Sequence, residues 1–62
     1  MDFTLSGGGT IYLLRPVSAE AREWVDAHIP EDASWLGNAV AVEHRYVEDI
    51  VDGILNDGLT VA

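Results

Sequence analysis

The chain has 62 residues and no cysteine, and its eleven acidic residues stand against three basic ones, all arginine, for a net charge of −8. A chain this short buries only about 60% of the surface that its unfolded form exposes, so residues 1–62 make one domain with a stability of a few kcal/mol. The missing thiol excludes disulfide staples, zinc–thiolate sites and a cysteine nucleophile. The charge excludes a direct nucleic-acid or anionic-membrane surface, which would need a basic face.

The chain is not a disordered acidic tail, because 48% of it is hydrophobic and the apolar residues follow clear periods. No run reaches the ~18 apolar residues of a membrane span, and the N-terminal Met1 to Ser6 lacks the basic region of a secretory signal. The expectation is a soluble, unexported protein of a bacterial cytoplasm, monomeric and without cofactor or metal.

Asp2–Leu5 and Thr10–Leu14 read as two strands around a loop, Ser6-Gly7-Gly8-Gly9. The glycines do not make a phosphate-binding loop, since no Gly-Lys-Ser/Thr and no helix follows them. In the second strand Ile11 and Leu13 point one way, Tyr12 and Leu14 the other, which suits a central position.

Ser18 is an N-cap for a helix to about His28, with Glu20 in its first turn, where the helix dipole favours negative charge. Ala21, Trp24, Val25, His28 and Ile29 line one face, and Glu20, Glu23 and Asp26 point away from it. Pro30 ends the helix. After a polar connection, Trp35-Leu36 returns to the core, Gly37-Asn38 turns, and Ala39–Val42 forms the third strand.

A second helix runs from about His44 to Gly58, the latter at the left-handed C′ position with Leu59 placed to cover Ile54. Val47, Ile50, Val51, Ile54 and Leu55 form its apolar stripe, with Tyr46 at the rim. Arg45, Glu48, Asp49, Asp52 and Asn56 form the opposite arc. Leu59–Val61 is a short closing strand that must pair with a neighbour. The order ββαβαβ predicts an α+β fold, a three- or four-stranded, mainly antiparallel sheet with both amphipathic helices on one face. Trp24 and Trp35 are expected in the core beside Val47, Ile50 and Val51.

Catalytic signals are weak. Glu43, His44 and His28 offer a carboxylate and two imidazoles, the raw material of a hydrolase or metal site. They lack H-x3-H or H-E-x-x-H spacing, and adjacent residues at a strand–helix junction point in different directions. The paired Asp-Gly steps at Asp52-Gly53 and Asp57-Gly58 match no calcium-loop spacing.

The acids carry more. Glu48 and Asp52 stand one turn apart, about 6 Å along the helix axis, on the scale of phosphate spacing along a nucleic-acid strand. Glu20, Glu23 and Asp26 make a similar row. Rigid carboxylates on helices can occupy a basic groove as phosphates do. The alternative is a solvated, solubilising face in which Arg45 pairs with Glu48 and Asp49.

With Leu14-Arg15-Pro16, Trp24, Trp35-Leu36-Gly37, the run Ala41 to Tyr46 (AVEHRY) and Asp57-Gly58-Leu59, the chain resembles short uncharacterised acidic proteins of bacterial, plasmid and phage genomes. In size and charge it is similar to phage anti-CRISPR and anti-restriction proteins, several of which imitate DNA. The resemblance implies a non-enzymatic inhibitor whose partner is a basic nucleic-acid-binding protein, for instance a CRISPR effector subunit. The partner-binding set is then Glu20, Glu23, Asp26, Glu43, Glu48, Asp49, Asp52 and Asp57. An antitoxin-like interaction module binding a basic toxin is the rival reading, and the Glu43/His44/His28 site is the second.

Overall fold

The computed structural model describes residues 1–62. A hairpin of β1 (Phe3–Gly8) and β2 (Ile11–Pro16) is followed by α1 (Ala19–His28). A second hairpin, β3 (Trp35–Leu36) and β4 (Ala39–Glu43), leads directly into α2 (His44–Asn56). The strands form one antiparallel sheet in the order β1-β2-β4-β3, and the fold is α+β.

Strand alternation decides which side of the sheet is covered. Phe3, Leu14, Val40 and Val42 point to one face and join Ala21, Trp24 and Val25 of α1 and Ile54 of α2 in a single buried cluster. Both helices therefore lie on that face. The opposite face, with Thr4, Ser6, Ile11, Leu13, Arg15, Leu36, Ala41 and Glu43, is covered by no element. No helix is long and apolar enough to cross a membrane.

The first turn is tighter than its glycine content suggests. Gly7 and Gly8 belong to β1, and Gly8 pairs with Ile11, which leaves Gly9-Thr10 as a two-residue turn. Gly9 has φ 65° and no non-glycine residue has positive φ, as a type II′ turn requires. Gly7 is needed for another reason: a Cβ there would sit 2.9 Å from the Ile11 carbonyl oxygen. Close backbone approach and a φ of 98° within the strand, rather than looping, account for it.

Both helix ends are set locally. The Ser18 hydroxyl accepts from the Ala21 N–H at 3.0 Å, capping α1. At the end of α2, the Leu59 N–H donates to the Ile54 carbonyl (3.1 Å) and the Gly58 N–H to the Leu55 carbonyl (3.0 Å), with Gly58 at φ 83°. This is a Schellman ending. Beyond it, the expected final strand is a single parallel bridge between Phe3 and Val61. The Phe3 N–H donates to the Thr60 carbonyl and the Leu5 N–H to the Ala62 carbonyl, each at 3.0 Å. The observed order is ββαββα, closed by that bridge.

Trp35 and Leu36 correct the expected core. They form the two-residue edge strand β3 and remain 41% and 64% exposed. Trp35 lies opposite Val40 at the sheet margin rather than beside Val47, Ile50 and Val51. Leu55, assigned to the apolar stripe of α2, is 52% exposed, because Ile54 points at the centre of the cluster and Leu55 falls off its far side.

Trp24 holds the centre. Its ring meets Phe3 edge-on at 5.9 Å and stacks on His28 at 4.4 Å, and its indole N–H donates to Asp57 Oδ2 at 2.7 Å. Asp2 ties the ends together. Its Oδ1 accepts from the Ser18 hydroxyl at 2.7 Å, and its Oδ2 accepts from the Thr60 N–H at 2.9 Å and hydroxyl at 3.1 Å. These bonds, the one from Ser18 foremost, hold the Asp2 carboxyl below the usual value of 3.8.

Two outcomes follow for melting experiments. Trp24→Ala removes about 3–5 kcal/mol and unfolds the domain, whereas Trp35→Ala changes stability by less than about 1 kcal/mol. Because the folded-state pKa of Asp2 is depressed, its contribution is complete above the unfolded value and is lost as pH falls through the folded value. The melting temperature of Asp2→Asn lies below that of the wild type at neutral pH, and the gap narrows on acidification below about pH 4.

Candidate functional site

The helices set the direction of the acids. With Ala21, Trp24 and Val25 buried, Glu20, Glu23 and Asp26 are left exposed on α1. With Ile54 buried and Val47, Ile50 and Val51 half-buried, Glu48, Asp49 and Asp52 are exposed on α2. Since both helices cover the same sheet face, both acidic arcs project from the same side of the molecule.

None of these six carboxylates takes part in an ion pair. The alternative of a solvated, solubilising face pairs Arg45 with Glu48 and Asp49. The Arg45 Nη2 instead lies 3.1 Å from Glu43 Oε2, and its guanidinium sits 5.0 Å from the centre of the Tyr46 ring. The pair turns back toward β4, away from the arc.

Helix stability does not explain the charge of α2. Its first turn holds no acid and its last turn no base, and the N-cap residue Glu43 makes no side-chain cap bond. Acids would stabilise the helix at its start and basic residues at its end, by about 0.3–1 kcal/mol each. The carboxylates stand in the middle and toward the C-terminus instead, where the dipole gives them no support.

Glu43 and Asp57 behave differently from the other six. Glu43 is bound to Arg45. Asp57, the C-cap of α2, accepts from the Trp24 indole at 2.7 Å and lies 3.5 Å from His28 Nε2. Trp24 and Asp57 are 33 residues apart, and no local pattern announces such a bond. Asp57 is thus part of the scaffold.

Glu43, His44 and His28 are not assembled into a centre. His28 ends α1 against Asp57 and Trp24, His44 begins α2, and no group of three or more potential metal-ligating side chains forms. Three shallow depressions mark the surface. One of about 290 Å³ lies between Trp35 and α1 and includes Arg22 and Asp26, and an apolar one of about 240 Å³ lies between Ile29, Val42 and Tyr46. The third, about 400 Å³, is on the uncovered sheet face beside Leu13 and Arg15. No histidine lines any of them.

Comparison with protein-family models, curated proteins and solved structures finds no match to this chain.

The division among the acids can be measured by denaturation. Asp57→Ala strands the Trp24 indole N–H and costs about 1–2 kcal/mol. Glu48→Gln, Asp49→Asn and Asp52→Asn each stay within about 0.5 kcal/mol of the wild type.

Proposed function

We propose that this chain is a non-enzymatic binding module that inhibits a basic nucleic-acid-binding protein by placing its acidic helix faces where phosphates would lie. One observation carries the reading: Glu20, Glu23, Asp26, Glu48, Asp49 and Asp52 project from one side on two rigid helices, without intramolecular ion pairs. Such a surface steers basic partners over long range and offers carboxylates ordered before binding. The concrete form implied by the resemblance in size and charge is an anti-CRISPR protein of phage or mobile-element origin, with a DNA-binding effector subunit as the partner.

The test is a titration of a purified CRISPR effector complex, and of any protein captured by the tagged chain, at low and high salt. Wild type binds in competition with duplex DNA, and its affinity falls steeply as salt rises. The triple variant Glu48→Gln/Asp49→Asn/Asp52→Asn keeps the fold and binds at least about tenfold more weakly, or about 1.4 kcal/mol. Equal affinity of the two proteins, or simultaneous binding of DNA and inhibitor, overturns the reading.

A further inference from the structure

We infer that the uncovered face of the sheet is a self-association surface, and that its occupant is a second copy of this chain packed back to back. Within the strands this face carries one cation, Arg15, and one carboxylate, Glu43. Its middle is apolar. Leu13 and Ala41 lie opposite each other, Ile11 is 44% exposed and Leu36 64% exposed. In a chain of net charge −8, this is the face on which two copies meet with least repulsion, because the acidic arcs then point outward on both sides.

The two charges are arranged for a copy of itself. Arg15 lies two residues beyond Leu13, and Glu43 two residues beyond Ala41. The strands are antiparallel, so the charges stand at opposite ends of the face, each about 7 Å from the Leu13–Ala41 pair. A two-fold axis that runs across the strands, parallel to the sheet and midway between the two packed faces above that pair, brings Arg15 of each copy to the Glu43 end of the other. The lateral offset is one strand spacing, about 4.8 Å, and packed sheets stand about 10 Å apart, within reach of both side chains. Arg15 has no ion-pair partner inside the chain, and Glu43 holds Arg45 through Oε2 alone. Each copy thus offers the other's Arg15 the carboxylate that it lacks, and an isologous interface makes the contact twice.

Area bounds the interface. A standard interface takes roughly 800 Å² from each partner, about a fifth of this chain's 4050 Å². A small four-stranded face does not exceed that, so the interface is of standard size at most.

Sedimentation equilibrium of the whole chain over a wide concentration range tests this, at low salt and at about 0.5 M salt. Added salt screens the repulsion between two acidic chains, so the dimer fraction rises with salt. Partner binding by the acidic arcs falls with salt, and the two proposals therefore fail independently. Leu13→Asp and Arg15→Glu each weaken the dimer at least about tenfold, with circular dichroism confirming the fold. Arg15→Glu combined with Glu43→Arg restores it. A wild type that stays monomeric at millimolar concentration in high salt overturns the proposal. So does a dimer indifferent to Leu13→Asp and Arg15→Glu, or a charge swap that fails to restore association.

Discussion

Everything in this fold depends on how one indole is enclosed. A sheet whose covered face presents Phe3, Leu14, Val40 and Val42 has only two short helices to shield it. Trp24 fills the space that neither helix fills alone. It reaches Phe3 on β1, stacks on His28 within its own helix, and donates to the C-cap of α2. Gly53 faces the ring from α2, where a Cβ would meet it at 3.5 Å in ordinary van der Waals contact. A helix interior normally disfavours glycine by up to about 1 kcal/mol. Alanine fits at this position, in contact with the ring. Polar and apolar demands are met together, because the one polar atom of the indole finds a carboxylate at the edge of the cluster.

That arrangement separates the acids by role. Asp2 and Asp57 are used up in holding elements together, the first by hydroxyl and amide donors and the second by the indole and His28. Glu43 is tied to Arg45. The six helix-surface carboxylates have no such duties and face solvent. The negative surface is therefore concentrated on the helix side, and the strand side is nearly neutral. This asymmetry, more than the net charge, gives the molecule two distinguishable faces.

Much of this was legible from local pattern. Ser18, Pro30 and Gly58 mark helix ends by mechanisms confined to a few residues, and the α1 and α2 stripes follow the 3.6-residue period. The exposed arcs follow from the same period by subtraction. What escaped depends on register and on distant partners. Nothing local shows that Gly7 must be glycine to pass Ile11, because the clash arises only when β1 pairs with β2 in one register. Trp35 reads as core on hydrophobicity, but a two-residue strand at the sheet edge has neighbours on one side only. Arg45 had acids at the favourable helical spacings, and the backward partner Glu43 on the sheet end lay closer. The bond from Trp24 to Asp57 joins residues 33 apart in sequence and follows no period.

The parallel bridge at the end of the chain has a kinetic meaning. Both hairpins and both helices close over short stretches of sequence, so they can form early and locally. The outer edge of β1 cannot, because the groups that seal it at Phe3 and Leu5 belong to Thr60 and Ala62. Until those residues dock, Phe3 lies beside an open strand edge that invites pairing with any other extended chain. The last closure is also the longest, with Asp2 and Thr60 58 residues apart. The Asp2 carboxylate latches that seam, tying the start of β1 to Ser18 before α1 and to Thr60 after α2. A copy in which the seam opens offers the outer edge of β1 to strand exchange with another.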